Sequence, residues 1–179
     1  THLTLTASGL NSQMPGENHI TAQLKNAVRA AQENKWDGGM MQQLSDHVLH
    51  MSKHIRNDVT QYIKSEEIED AVMSFIGARL PHRKDCRIIL AGTGSVGREL
   101  MPRLAETGAH IDWLYHTVIP EINMKNVTAA PLTRLNGLMP SSDLIVTALT
   151  SPHPVVTTAL GNRIKHGAVV IDLGVPRNV

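Results

Sequence analysis

The chain has 179 residues, 41% of them apolar, a formal charge of +1 and one cysteine, Cys86. This length suits one or two small domains, with a core of aliphatics, Ala and Met because aromatics make up only 3%. The near-zero charge gives no field for nucleic acid or membrane surfaces, one cysteine rules out a disulfide framework within the chain, and no apolar run is long enough to span a bilayer; a cytoplasmic setting is the expectation.

Ile20, Leu24, Ala27, Val28 and Ala31 share one helical face and predict a helix over 19–34. The WDGG run at 36–39 breaks it. Met41, Leu44, Val48, Met51, Ile55, Val59 and Ile63 then recur at spacings of three and four, predicting a long helix over 39–64. A third amphipathic stretch covers 65–79, with Ser65 as its N-cap. The pattern changes at Pro81, which opens a polar linker. Beyond it, short apolar runs predict strands over 88–91, 111–115, 127–130, 144–148 and 168–173, the third of them weak. A clear helical stretch follows the first strand. Pro120 spoils the crossover helix expected between the second and third. This alternation predicts an α/β fold, a Rossmann-like doubly wound parallel sheet preceded by a helical segment. The expected division is 1–80 for the helical connecting segment and 81–179 for the nucleotide-binding domain.

The stretch RIILAGTGSVG at 87–97 carries the strongest functional signal. An apolar strand runs into a G-x-G-x-x-G turn that opens a helix. In that setting Gly92 makes the tight turn, Gly94 lets a pyrophosphate approach the backbone, and Gly97 lets helix and strand pack closely. Thr93, Ser95 and Val96 complete the cradle at the helix N-terminus, where free N–H groups and the dipole favour phosphate. An NAD site usually ends the second strand on an acid that binds the ribose hydroxyls. Here that strand ends at Tyr115, with His116 and Thr117 next, so NADP(H) is the expected cofactor, His116 meeting the 2′-phosphate when protonated. Thr147, Ala148, Thr150 and Ser151 fall at the carboxyl end of the fourth strand, where open parallel sheets bind ligands. Pro152 and Pro154 stiffen the loop that displays His153. Asp172 suits local backbone hydrogen bonding better than chemistry. His47, His50 and His54 lie within one arc of the long helix; such a stripe can hold metal or haem, but with no thiol or carboxylate completing a ligand pattern a solvated face is expected, and no metal.

Further segments resemble the glutamyl-tRNA reductase family. They are ALTSPHPVV at 148–156 and VIDLGVPR at 170–177 behind the glycine turn, and HL at 2–3, ASGLNS at 7–12, PGENHI at 15–20 and KHIR at 53–56 before it. The resemblance covers nearly the whole chain in order. It implies NADPH-dependent reduction of glutamyl-tRNA in tetrapyrrole biosynthesis, with tRNA or a tetrapyrrole-pathway protein as partner and self-association as a homo-oligomer. It matches His2 to the family's active-site histidine, which makes His2 a candidate catalytic residue beside the loop residue His153, and it sets Lys53 and Arg56 either against an acidic substrate or tRNA end or on an ordinary solvated helix face. Glu17 falls in the family's turn into a helix. The family's nucleophilic cysteine, in an S-T-C-N-R-like motif, has no counterpart here, and Cys86 lies at the wrong end of the first strand to replace it. Where the family has N-R-T, this chain has Tyr115, His116 and Thr117. A truncated or divergent reductase is expected; a reductase of another tetrapyrrole-pathway substrate and a non-catalytic nucleotide-binding or regulatory module stay open.

Overall fold

The computed structural model describes residues 1–12, 15, 18–36, 38–59, 67–80 and 82–179. Glu17, Ile63, Ser65 and Pro81 lie outside these, and with them the expected turn glutamate, the end of the long helix, the N-cap and the linker proline. The chain forms two compact units, Thr1–Val72 and Met73–Val179.

The first unit is helical: α1 (His2–Ala7), α2 (His19–Glu33), α3 (Gly39–Val59) and the start of α4 (Ile68–Arg79). Helix α1 has no counterpart among the predicted elements, because HLTLTA alternates polar and apolar residues and lacks helical periodicity. Within this unit the Thr21 hydroxyl donates to the Ala7 carbonyl at 2.9 Å, and Arg56 Nη1 donates to Thr21 Oγ1 at 2.8 Å, tying α1, α2 and α3 together. His19 Nε2 lies 3.1 Å from the buried Glu69 carboxylate.

The second unit is a five-stranded parallel sheet: β1 (Arg87–Ala91), β2 (His110–Tyr115), β3 (Val127–Pro131), β4 (Leu144–Thr147) and β5 (Val169–Asp172). Their order is β3-β2-β1-β4-β5, all neighbours parallel. The strands match those predicted to within a residue or so at each end. Helix α5 (Ser95–Ala105) links β1 to β2, the four-residue α6 (Leu135–Leu138) lies between β3 and β4, and α7 (Thr158–Gly161) between β4 and β5. Residues 116–126 contain no helix, as Pro120 implied.

Connections from β1 run toward one edge of the sheet and the connection into β4 returns across it. Right-handed crossovers therefore set α5 and α6 on opposite faces. The burial pattern agrees. Ile89, Ala91, Leu114 and Ile145 form a buried cluster with Leu135, Leu138 and Met139 of the α6 region. The alternate residues Ile88, Leu90, Ile111, Trp113, Leu144 and Val146 are buried too, as are Leu100, Met101 and Leu104 of α5. Both faces of the central strands are covered, which explains their unbroken apolar runs. Among the described residues, no helix is long and apolar enough to cross a membrane.

Candidate nucleotide site

The direction of the connections reverses between β1 and β4, so the carboxyl ends of these two strands flank the topological switch point. The turn at 92–97 leaves β1 there, and the loop at 148–156 leaves β4 beside it.

The three glycines of the turn have different tasks. Gly92 sits at φ +122°, and a Cβ on it would lie 2.2 Å from the Ala148 carbonyl oxygen. Gly97 is buried, and its Cβ would lie 2.2 Å from the Gly92 carbonyl oxygen. These two let the backbone of strand, turn and helix touch. Gly94 is exposed, has φ −73° and ψ −170°, and a Cβ on it would meet nothing within 4 Å. The fold does not need a glycine there, while a group approaching the backbone does. Gly94 also caps α5, whose first turn carries no acid to compete with an anion.

Two side chains orient the turn. Trp113 Nε1 donates to the Gly92 carbonyl at 2.8 Å, and Arg98 Nε donates to the Thr93 carbonyl at 2.9 Å. Neither residue stood out in the sequence. A lone indole in an aliphatic strand was the available signal for Trp113. Thr93 and Val96 are partly exposed and Ser95 is exposed. At the tip of β2, His116 and Thr117 are exposed, with His116 Nδ1 3.0 Å from the Thr117 hydroxyl.

Thr147 is fully buried and gives its hydroxyl to Asp172 at 2.7 Å. Asp172 also accepts from the N–H groups of Gly174 (3.0 Å), Asn178 (2.8 Å) and Val179 (3.1 Å). Burial pushes its carboxyl pKa up, but these four donors outweigh burial and hold it below the ordinary value. Asn178, also fully buried, accepts from the Leu149 N–H through Oδ1 at 3.1 Å and from the Val155 and Val156 N–H groups through its carbonyl. The β4 loop is thus strapped to the segment after β5. Ala148 is half-buried, Thr150 and His153 are exposed, and the Ser151 hydroxyl donates to the His153 carbonyl at 2.6 Å.

The other candidates lie elsewhere. His2 opens α1 in the first unit and is exposed. His50 and His54 are exposed and meet edge to face, ring centroids 4.5 Å apart. Among the described residues, His47, His50 and His54 form no set of three ligand atoms within reach of one ion. Cys86 precedes β1, six residues and roughly 20 Å of strand from the glycine turn. Burial, then the Asp143 and Asp85 carboxylates, push its thiol pKa up.

Residues 74–179, more than half the chain, match the family model described as shikimate / quinate 5-dehydrogenase. Residues 1–59, read from the sequence as part of a helical connecting segment, match the N-terminal domain of glutamyl-tRNAGlu reductase. The glutamyl-tRNA reductase of Idiomarina loihiensis is 26% identical over 100% of this chain and 44% of its own length. By its second unit the chain belongs to the family that the dehydrogenase model describes, and over its whole length it is related to glutamyl-tRNA reductases. Glutamyl-tRNA reductase 1 of Pyrobaculum calidifontis is 27% identical, over 99% of this chain and 46% of that protein. The chain therefore spans a little under half the length of these relatives. The solved glutamyl-tRNA reductase of Methanopyrus kandleri shares the fold at a TM-score of 0.54 and 22% identity, covering 99% of this chain and 47% of that one. The dipicolinate synthase A chain of Bacillus subtilis shares it at 0.52 and 10% identity, covering 66% of this chain and 45% of its own. The second unit is accordingly a dehydrogenase-type nucleotide-binding domain in a glutamyl-tRNA-reductase-like chain.

Proposed function

We propose that this chain is the NADPH-binding part, with helices that precede it, of an oxidoreductase that reduces glutamyl-tRNA in tetrapyrrole synthesis. The observation that carries the proposal is the open space over Gly94, at the switch point, between two glycines closed by backbone contacts. When bound there, a reduced nicotinamide supplies hydride to a carbonyl carbon. The amides of the turn and the N-terminus of α5 hold the pyrophosphate. His116 and Thr117, with no acid beside them, receive the adenosine ribose and favour its 2′-phosphate. Ala148 and Thr150 line the nicotinamide side, and Thr147 supports them from below through Asp172. Residues 81–179 carry the nucleotide and 1–80 connect it to the substrate. The partners in this reading are tRNA and a second copy of the chain, and the setting is cytoplasmic.

Calorimetric titration of the chain with NADPH and NADH tests the cofactor assignment. NADPH should bind at least as tightly as NADH, because no acid stands at the tip of β2 to repel the 2′-phosphate. Tighter NADH binding would overturn the NADPH preference.

One observation favours a second reading, a nucleotide-binding module without chemistry of its own. The chain's one cysteine lies at the far end of β1, where burial and the Asp143 and Asp85 carboxylates push its thiol pKa up. Nucleophilic catalysis needs the thiolate next to the reacting carbonyl. Oxidation of NADPH in the presence of glutamyl-tRNA by the complete gene product, rather than by this chain alone, separates the two readings: turnover supports the first and its absence the second.

A further inference from the structure

We infer that Trp113 is a positioning residue for nucleotide binding: its indole N–H fixes the Gly92 carbonyl and thereby aims the Thr93 amide at the pyrophosphate. This deepens the nucleotide reading proposed above and rests on it. Trp113 lies in β2 opposite Leu90, on the sheet face that packs against α5, and is 3% exposed. Its Nε1 reaches the Gly92 oxygen at 2.8 Å, and the Gly92 N–H donates to the carbonyl of the next residue, Leu114, at 2.9 Å. Strand β2 therefore holds Gly92 by both its donor and its acceptor.

The consequence follows from peptide geometry. A trans peptide is planar, so the Gly92 carbonyl and the Thr93 N–H point in opposite directions. The carbonyl is turned inward, toward the indole and Gly97, whose Cβ would lie 2.2 Å from it. The Thr93 N–H is thus turned outward, toward the open mouth of the turn. Glycine at φ +122° has the least steric restraint of any residue, so this peptide plane depends on partners to hold it. Removing the indole N–H leaves a buried carbonyl short of its donor and frees the plane to rotate.

Trp113→Phe keeps a buried ring and deletes the N–H. Ile111→Val provides the control: a fully buried residue of the same strand and face, further from the turn. Calorimetry with NADPH and thermal melts would be run on both variants and on the wild type. Trp113→Phe should weaken NADPH binding by roughly three- to tenfold, while Ile111→Val lowers the melting temperature and leaves affinity within about twofold. Trp113→Phe binding NADPH as tightly as the control does would overturn the inference. Should Trp113→Phe fail to fold, Trp36→Phe leaves one indole in the chain, and its Nε1–H resonance can be followed during NADPH titration. That resonance should move together with the Thr93 and Gly94 amides. An indole signal that stays fixed while those amides shift overturns the inference equally. A wild type that binds neither NADPH nor NADH removes the nucleotide reading and the inference with it, whereas wild-type binding beside an unaffected Trp113→Phe removes the inference alone.

Discussion

Gly97 and Asp172 illustrate two ways in which single residues set up the strand ends. A methyl on Gly97 would overlap the Gly92 oxygen at 2.2 Å, and the obstacle is backbone rather than a side chain that can swing aside. Gly97→Ala should therefore destabilise the chain by about 2 kcal/mol, lowering Tm by roughly 4–8 °C. An unchanged Tm in calorimetric melts would contradict that packing. Asp172 acts through charge. Its folded pKa is depressed, so its contribution to stability is present above the unfolded carboxylate value, about 3.9, and is lost as pH falls through the lower folded value. Urea midpoints between neutral pH and pH 2.5 should thus decline less steeply in Asp172→Asn than in wild type. Equal slopes would mean that Thr147, Gly174, Asn178 and Val179 do not hold the carboxylate as described. Asp143 shifts in the same direction through Lys165 and the Arg87 N–H, so some acid loss remains in the variant.

The elements explain what could be read from sequence and what could not. Strands β1 and β4 were legible because both faces are covered, leaving unbroken runs such as Ile88 to Ala91. Helix α3 was legible from its periodicity. Helix α1 was not, because six residues with alternating polarity are stabilised by tertiary partners such as the Thr21–Ala7 bond. The glycine turn was legible as a motif. The strap from Asp172 and Asn178 to the β4 loop was not, since its partners are up to 29 residues apart and are brought together only by the pairing of β4 with β5. The same holds for Trp113, which reaches Gly92 across 21 residues. One element-level consequence is measurable. The link 116–126 between β2 and β3 lacks a helix like the one that covers the β1–β2 crossover, and Val118 and Ile119 are exposed. Its amides should exchange with deuterium faster than those of β1 and β4, whose residues are almost all fully buried. Protection in 116–126 equal to that of β1 would contradict this.

The whole molecule combines a helical unit that carries the family's N-terminal signature with a dehydrogenase-type unit built around one switch point. The chain by itself should not oxidise NADPH in the presence of glutamyl-tRNA, because Cys86 stands at the far end of the sheet with its pKa raised. Turnover that disappears in Cys86→Ser would contradict this expectation, and absorbance of the reduced nicotinamide provides the assay. The central claim is that the glycine turn receives a dinucleotide, and Gly94 separates binding from folding. Its backbone suits any residue, and its Cβ position is empty. The most direct measurement pairs NADPH calorimetry with thermal melts of the wild type and Gly94→Val. The account predicts an unchanged melting temperature, to within a degree or two of propensity effects, and at least a tenfold loss of NADPH affinity as the valine fills the phosphate space. Equal affinity in a folded Gly94→Val variant would contradict the account.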